Sequence, residues 1–461
     1  MEAWDVIVLG DGPAALRSAA EAAKQGASTL VLSVNALGSD THLAQEGLAA
    51  SLQESNNRGH REDSIRAGCF LNDQDIVASR TADAGRQADL LERWGVNFRR
   101  DAHGIPLVRK APGHGMARNA DAGDATGREI QHVLEEQCMR HGVTRRGDHL
   151  PLSLIHTNQS VSGVTVVDLV NGRIAALQAK AIILADGGFE GAFNHGAVGL
   201  GLDLALRAGV PLRDMEFIAH TPLGIKDTNM ILPLGLLHDG ATLHEANGSD
   251  IEIGDGGLDS LCQAVSHAMQ PVIDARNLGD SSPWWGSVFR SVKQRTGIDM
   301  NRQTIEIEPR PFSSLGGVTV DESGRAILST WSRWFTGLYA AGDASCSGFH
   351  GADLLPVIRC LTLYLVALLP ELMQVNGSST VSLQMLRLHM MRKKQPKLTI
   401  PQFRMPRRKE LYVSGTLSLK SVKQFRTLSD TAVVQVNFIP QWNLSRPQEY
   451  LQNPYTLTRL L

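Results

Sequence analysis

The hydrophobic pattern at the start of the chain predicts a strand, a glycine-rich turn, a helix and a second strand. The apolar run Val6–Leu9 is typical of a buried parallel strand. The turn sequence GDGPAA begins at Gly10, and a helical stretch then runs from Leu16 to Gln25. Gly26 ends the predicted helix, and Thr29–Leu32 is the second strand. This order and spacing indicate a dinucleotide-binding α/β fold.

The residues of the turn have the chemistry that a pyrophosphate requires. Gly10 permits the tight turn, and Gly12 lets the backbone approach a pyrophosphate at the helix N-terminus, where free N–H groups favour anions. Ala15 stands at the third glycine position. Ordinary turn chemistry is the alternative explanation for these glycines. At the end of the second strand, Ser33 replaces the carboxylate that a standard NAD site uses for the ribose, which disfavours NAD.

Further motifs follow in order along the next three hundred residues. They are Gly38–Ala49, Gly113–Arg118, Asp124–Ile130, Ala181–Phe189, Asp214–Phe217, Gly337–Ala344 and Gly348–Ala352. Together they resemble the flavoprotein family of succinate dehydrogenase, fumarate reductase and L-aspartate oxidase, over about residues 4–356. The resemblance implies an α/β fold with a doubly wound, Rossmann-like FAD-binding domain at residues 1–216 and 330–356. It also implies an inserted capping domain at residues 217–329, with the active site where the cap meets the flavin.

The resemblance implies FAD as the cofactor and assigns a role to each matching position. The residues expected to contact FAD are Gly10, Gly12, Ala14 and Ala15 at the pyrophosphate, Ser33 at the adenosine ribose, Ser39, Thr41, Gln45 and Gly47 along the flavin, Ala185 near the nucleotide, and Gly342 with Asp343 at the ribityl chain. Some members of the family attach FAD covalently through a histidine. Asp40 stands at that position here, and therefore we expect non-covalent FAD.

The substrate side departs from the family pattern. Members that use fumarate or succinate hold the dicarboxylate with histidine, threonine and arginine, because a dianion needs cations around it. Here Thr221 and Phe312 stand at the histidine positions, and Leu258 and Leu354 stand at arginine positions. The Thr-Glu element followed by Arg-Gly-Glu-Gly-Gly is also lost, at residues 233–241. The substrate is therefore predicted to be a small molecule other than fumarate, succinate or aspartate.

Four polar residues remain as candidates near the substrate. His220, Arg276 and His350 are the candidate catalytic residues, and His238 is a further polar group in the same region. The alternative for each histidine is a hydrogen-bonded structural role. His238 and His244 lack the i, i+4 spacing of a helical metal site, so that no metal is predicted.

Composition adds limits on the class of protein. The 461 residues are 43% hydrophobic and 20% charged with a formal net charge of −2, which gives no reason to expect nucleic acid. The five cysteines form no C-x-x-C pair, and the first residues do not have the pattern of a signal peptide. We therefore expect a cytoplasmic protein without a membrane span, which binds a small-molecule substrate and has an electron-transfer partner.

The composition changes abruptly after residue 356. Residues 357–461 carry 15 Lys and Arg against 4 Asp and Glu, and they hold only two of the 44 glycines. One possible coding string for Val357–Thr362 encodes Gly-Asn-Ser-Leu-Leu-Asp, the continuation found in the family, when a single G is restored before it. The hypothesis is that residues 357–461 are a frameshifted, poorly ordered tail. The alternative is a divergent basic domain that binds nucleic acid.

Three functional readings follow from these observations. The first is an FAD-dependent oxidoreductase that acts on a small molecule other than a C4 dicarboxylate. The second is a non-catalytic or inactive FAD-binding remnant, because of the lost substrate residues and the changed C-terminal part. The third is a true succinate dehydrogenase, fumarate reductase or L-aspartate oxidase-like enzyme.

Overall fold

A computed structural model describes residues 2–35, 47–51, 57–193, 196–252, 256–328 and 333–356. All of them belong to one compact unit, residues 1–381. The predicted tail at 357–461 and the flavin-lining residues Ser39, Thr41 and Gln45 lie outside the described residues.

The described residues form eight α-helices and eighteen strands. The helices are α1 (Pro13–Lys24), α2 (Asn57–Ala67), α3 (Gln74–Trp94), α4 (Thr126–Arg140), α5 (Leu200–Arg207), α6 (Gly235–His238), α7 (Gly257–His267) and α8 (Gly286–Thr296). The strands are β1 (Glu2–Leu9), β2 (Thr29–Leu32), β3 (Leu48–Ala49), β4 (Val108–Arg109), β5 (Asn119–Ala120), β6 (Thr144–Arg146), β7 (His149–Thr157), β8 (Ser160–Asp168), β9 (Arg173–Leu184), β10 (Leu212–Arg213), β11 (Ile218–Ile225), β12 (Thr242–His244), β13 (Val272–Asp274), β14 (Ile305–Ser314), β15 (Gly317–Thr319), β16 (Arg325–Ile327), β17 (Trp334–Ala340) and β18 (Ser345–Cys346).

The main sheet has β1 near its middle, in the order β16-β17-β8-β9-β1-β2-β6, with β7 paired to β8. β1 runs parallel to both β2 and β9. Val6 and Val8 face the apolar cluster that contains residues of α1 and α4, whereas Ile7 and Leu9 face a second cluster that contains residues of α5. Because both faces of β1 are covered, its C-terminal half is apolar without alternation. The doubly wound α/β prediction is confirmed.

The predicted elements at the N-terminus are confirmed, with shifted ends. The first strand begins at Glu2 rather than Val6, because Glu2, Ala3 and Trp4 also pair with β9. The helix begins at Pro13 rather than Leu16, because the fixed φ of proline suits the first helical turn. Thr29–Leu32 forms β2 as predicted.

The capping domain has its own sheet and its own core. Its four strands are ordered β11-β14-β13-β12. Leu236, Leu261, Trp285 and Phe289 belong to an apolar cluster with residues of this sheet. The two long strands, β11 and β14, begin and end the cap segment of the chain. The bounds 217–329 stay a prediction, since the observed sheet accounts for Ile218–Ser314.

The longest helix, α3, has 21 residues, but charged side chains occur along its whole length. Among the described residues no helix is both long enough and apolar enough to cross a membrane.

A buried hydrogen-bond chain joins α2 to the segment that precedes residue 357. Arg118 Nη1 donates to Asp63 Oδ2 over 2.7 Å and to His114 Nδ1 over 3.0 Å. His114 Nε2 in turn donates to the carbonyl oxygen of Pro356 over 2.8 Å. Removal from water lowers the pKa of His114 to about 3, and the nearby Arg118 acts in the same direction. His114 therefore stays neutral in the folded protein.

The low pKa of buried His114 predicts that the folded protein loses stability in acid. Unfolded His114 takes up a proton below its ordinary pKa of about 6.5, whereas the folded form does not until about pH 3. Its contribution to stability is present above pH 6.5 and is lost as the pH falls, by about 2 kcal/mol at pH 5. Between pH 7.5 and pH 5, the free energy of unfolding of His114→Asn should therefore fall by about 2 kcal/mol less than that of the wild-type protein.

Chemical denaturation at the two pH values measures the effect. The control is His267→Asn, since His267 is exposed at the end of α7 and should leave the pH dependence as it is. An unchanged pH dependence in His114→Asn would contradict the prediction.

Candidate active site

The turn after β1 brings three strand ends together. Gly10 has φ of 117°, and a Cβ on it would lie 2.2 Å from the carbonyl oxygen of Ala185, which follows β9. The Gly10 amide donates to Leu32 O over 2.8 Å, at the end of β2, and the Ala185 amide donates to Leu9 O over 2.8 Å. Only glycine permits this approach, because any side chain would collide with the backbone of Ala185.

The next glycine prepares the start of α1 for an anion. Gly12 is the N-cap of α1 and provides no side-chain hydrogen bond to the first turn. That turn contains no acidic side chain, so that its amide groups and the helix dipole are available to a phosphate. Ala14 and Ala15 are 4% and 0% exposed and pack beneath the turn. Four of the predicted FAD residues therefore lie together at the site that a pyrophosphate needs.

The carboxylate of Asp11, between the two glycines, is neutralised locally. Asp11 Oδ1 accepts a 2.7 Å hydrogen bond from Arg145 Nη2, and Gln131 Nε2 donates to the Asp11 carbonyl over 3.1 Å. Both partners come from elements beside the turn. The negative charge is thus compensated close to where the phosphates would lie.

The other FAD positions within the described residues lie at the edges of the same region. Ser33 follows β2, is 7% exposed, and donates its amide to Arg146 O over 2.9 Å. Gly342 has φ of 61°, and its carbonyl accepts from Ser345 Oγ over 2.8 Å, which shapes the turn that carries Asp343.

A buried asparagine adds to the flavin segment, and no pattern in the sequence indicated this residue. A Cβ on Gly47 would lie 2.1 Å from Asn119 Oδ1, and Asn119 is fully buried on β5. Gly10 and Gly47 lie so close to other parts of the protein that any other residue type would displace the backbone of Ala185 or the side chain of Asn119. Together with the amide groups available at the start of α1, this arrangement fits a dinucleotide such as FAD.

Two candidate residues lie on one cleft. His350 and Asp343 line it together with Arg80, Asp214 and Cys346. The His350 ring makes an edge-on contact with Phe349, with ring centres 5.1 Å apart. Cys346 Sγ donates to Asp214 Oδ2 over 3.1 Å, and burial raises the pKa of this thiol to about 12. Cys346 is therefore a protonated structural thiol.

His220 lies on β11 of the cap, and its ring is exposed. Its Nδ1 donates to Ile218 O over 3.1 Å, which leaves the lone pair on Nε2. Desolvation lowers the pKa of His220 below its ordinary value, and therefore the ring is neutral at pH 7. Cys262 Sγ of α7 donates to His220 O over 3.5 Å, which ties this part of β11 to the helix.

Arg276 has a partner within its own turn of the chain. Its Nε and Nη2 donate to the two carboxylate oxygens of Asp274 over 2.9 and 2.6 Å. The side chain is 48% exposed. No described contact joins Arg276 to His220 or His350, so that its catalytic role stays a prediction.

Of the four positions that differ from the family's cationic pattern, three are buried and Phe312 is partly buried. Leu258 and Leu354 are each 2% exposed, Thr221 is 1% exposed, and Phe312 packs against two apolar clusters. Leu354 shares one of those clusters with Ala219 of the cap and with Ala49 and Val77 of the FAD-binding domain. The contact between cap and FAD-binding domain is thus apolar at these positions.

The carboxyl groups of Asp353 and Asp259 lie near this apolar contact, and the sequence did not identify them as candidate site residues. Burial raises the pKa of Asp353 to about 7, and the carboxylate of Asp259 acts in the same direction. Asp353 Oδ1 accepts from the Leu354 amide over 2.8 Å. His238, beside the same domain contact, has both ring nitrogens buried without a hydrogen bond to any described residue, and desolvation lowers its pKa to about 4. In the sequence, Asp353, Asp259 and His238 could have been noticed only because each stands next to a leucine in a segment that matches a family motif.

Comparisons with known proteins agree with this geometry. The family model described as FAD binding domain matches residues 5–357. The succinate dehydrogenase flavoprotein subunit of Rickettsia felis is 28% identical over 400 residues, which cover 76% of this chain and 66% of that protein. The L-aspartate oxidase of Mycobacterium bovis is 31% identical over 382 residues, which cover 77% of this chain and 70% of that protein. The chain thus spans about two thirds of the length of these relatives.

Solved structures show the same fold. A mutant of the E. coli quinol fumarate reductase superposes with a TM-score of 0.75 at 24% identity, covering 85% of this chain and 74% of that one. The 3-ketosteroid-Δ4-(5α)-dehydrogenase of Rhodococcus jostii has a TM-score of 0.57 at 14% identity, covering 80% of this chain and 96% of that one. The glycine turn after β1, the match over residues 5–357 and the relatives all agree. The chain belongs to the FAD binding domain family that includes the succinate dehydrogenase and fumarate reductase flavoproteins and L-aspartate oxidase.

Proposed function

We propose that the protein is an FAD-dependent oxidoreductase whose substrate is a small molecule other than a C4 dicarboxylate. The observation that carries the substrate part is that Leu258 and Leu354 are buried, and Phe312 is partly buried against apolar clusters, at positions where the resemblance calls for histidine or arginine. A dianion placed there would lose its water and gain no charge-assisted hydrogen bond. The substrate would instead present an apolar, uncharged part to these residues.

The bound FAD would accept or donate the hydride. The chain would bind and orient the substrate and transfer its proton. The amides at the start of α1 would hold the pyrophosphate, with the tight turn at Gly10 placing the helix start and Gly12, the N-cap residue, leaving room for the phosphates. His220 would take the substrate proton at Nε2, because the ring is neutral and its Nδ1–H is already bonded to Ile218 O. The apolar cluster around Phe312 and Leu354 would exclude water during transfer.

A partner protein is part of the proposal. The Rickettsia felis relative is a flavoprotein subunit, which supports an assembly in which electrons pass between this chain and a second protein. Two other functions compete with the proposed one. An inactive FAD-binding protein would bind FAD but react with no substrate, and an enzyme like the relatives would react with their dicarboxylates.

The first prediction concerns the cofactor bond. Asp40, at the position of the linking histidine, cannot form the family's bond to the flavin, and therefore FAD should be held non-covalently. Acid precipitation of the purified holoprotein should release all of the flavin absorbance into the supernatant. Flavin that remains with the washed precipitate would refute this part of the proposal.

The second prediction concerns the substrate. Each missing charge-assisted hydrogen bond should cost about 1.5–3 kcal/mol of binding, so that two missing contacts weaken a dianion by at least about a hundredfold. Fumarate should not reoxidise the dithionite-reduced holoprotein faster than buffer does under anaerobic conditions. Ferricyanide serves as the control, because it should reoxidise the same sample and show that the flavin is reactive.

A panel of neutral and amine-bearing substrates separates the competing functions. Saturable reoxidation by fumarate would favour an enzyme like the relatives. Flavin reduction by one member of the panel supports the proposed function, and no reaction with any member would favour the inactive alternative.

The third prediction concerns the proton acceptor. A neutral His220 is required for proton uptake, and its pKa lies below 6.5. The rate of flavin reduction by a reactive panel substrate should therefore be constant above pH 6.5 and fall as the pH drops through the lowered pKa. His220→Gln should reduce the rate at pH 7.5 about a hundredfold and remove this acid limb. His267→Gln, at an exposed position on α7, is the control. A retained acid limb in His220→Gln would exclude His220 as the base.

A further inference from the structure

A buried set of polar contacts joins the cap to the FAD-binding domain and uses none of the residues assigned above to FAD or substrate. At its centre is Asp239 of the cap, whose side chain has no exposed surface. Its Oδ2 accepts from Arg99 Nη1 and from Trp285 Nε1, both over 2.8 Å. Its Oδ1 lies 3.0 Å from Arg109 Nη2. Two arginines of the FAD-binding domain thus share one carboxylate of the cap.

Arg99 is held from both sides. Its Nη2 lies 2.6 Å from Asp121 Oδ1 of the FAD-binding domain, and the Arg99 side chain is only 4% exposed. The guanidinium carbon lies 5.3 Å from the ring centre of Trp284 and 6.0 Å from that of Trp285. Two aromatic rings and Asp239 of the cap, together with Asp121 of the FAD-binding domain, therefore replace the water that this buried cation would otherwise need.

A second carboxylate reaches in the opposite direction, from the FAD-binding domain into the cap. Asp124 Oδ2 accepts from the amides of Ser287 and Val288, over 2.6 and 3.1 Å, in the first turn of α8. The Asp124 amide donates to Trp284 O over 2.9 Å. A Cβ on Gly123 would lie 2.5 Å from that same carbonyl oxygen, so that the approach needs glycine. The motif Asp124–Ile130 thereby gains a structural role outside cofactor binding.

We propose that these residues form an interdomain anchor that positions the cap on the FAD-binding domain, with Asp239 as its central positioning residue. The anchor comprises Arg99, Arg109, Asp121, Asp124, Asp239 and Trp285. Asp239 directly follows α6, and Leu234 and His238 of the same segment lie in the region where relatives place substrate residues. A second contact of the cap, through Ala219 and Leu354, is apolar and has no preferred direction. A third contact is polar, since Ser314 at the end of β14 donates its amide and its hydroxyl to Glu190 Oε1 over 3.1 and 3.2 Å. The anchor adds directional contacts at the end of α6 and the start of α8, and directional contacts at separate elements fix the orientation of the cap.

Hydrogen exchange of the full-length holoprotein, followed by mass spectrometry, tests the anchor directly. Asp239→Asn keeps the size of the side chain and removes the charge that faces Arg99 and Arg109. Peptides that contain Asp124 and the turn Trp284–Val288 should exchange at least tenfold faster in this variant. Peptides from β14 and β1 should exchange at the wild-type rate, because the cap sheet and the main sheet keep their own hydrogen bonds.

Two further variants complete the test. Arg109→Gln removes one anchor contact from a side chain that is 26% exposed, and should give the same local acceleration if Asp239→Asn fails to fold. The double variant should exchange no faster than Asp239→Asn, because both changes remove the same pair. Asp274→Asn breaks an ion pair inside the cap and is the matched control, with unchanged exchange at Trp284–Val288.

The proposal is overturned if exchange at Trp284–Val288 stays at the wild-type rate in both anchor variants. It is also overturned if β14 accelerates as much as the anchor peptides, since Asp239 would then only support the internal stability of the cap. Neither outcome depends on the identity of the substrate, so that a failure here is distinct from a failure of the proposed function.

Discussion

The cofactor end of the molecule depends on one close backbone approach, between Gly10 and the carbonyl of Ala185. A Cβ at Gly10 would lie 2.2 Å from that oxygen, a distance that no side chain tolerates. Because the turn can close this tightly, the ends of β1, β2 and β9 meet, and α1 begins directly above them. The helix N-terminus is thereby aimed at the place where the phosphates bind. The segment after β17, which carries Gly342 and Asp343, begins at the same edge of the sheet, because Ala340 pairs with Leu184 at the end of β9.

The proposed function combines the scaffold of the relatives with a different substrate site at the domain contact. Backbone geometry binds the nucleotide, and it survives large changes in side chains as long as the glycines stay. Substrate recognition depends on individual side chains, and three positions at which the family places cations hold Leu258, Phe312 and Leu354. At 28–31% identity the fold is therefore retained, while the substrate can differ.

The parts that the sequence predicts well are those with a local pattern. The strand Val6–Leu9, the turn at Gly10 and the strand Thr29–Leu32 follow from apolar runs and glycine spacing, and pairing with β9 only extended the first strand back to Glu2. The buried network of Arg118, His114 and Pro356 could not be predicted, because His114 and Pro356 are 242 residues apart and no periodicity links them. The same holds for Asp239 and Arg99, separated by 140 residues. Long-range charge pairs leave no signal in the local pattern of a single sequence.

The position of Asp239 has a consequence for how the chain assembles. The described cations that neutralise this buried carboxylate belong to the FAD-binding domain, and hence an excised cap would carry the charge without Arg99 and Arg109. Such a fragment would be poorly stable, because a buried charge without its partner costs several kcal/mol, of the order of 3–5. The cap is also inserted ahead of β17, a strand that the main sheet needs. Cap and FAD-binding domain therefore complete their folding together, as one cooperative unit rather than as two autonomous modules.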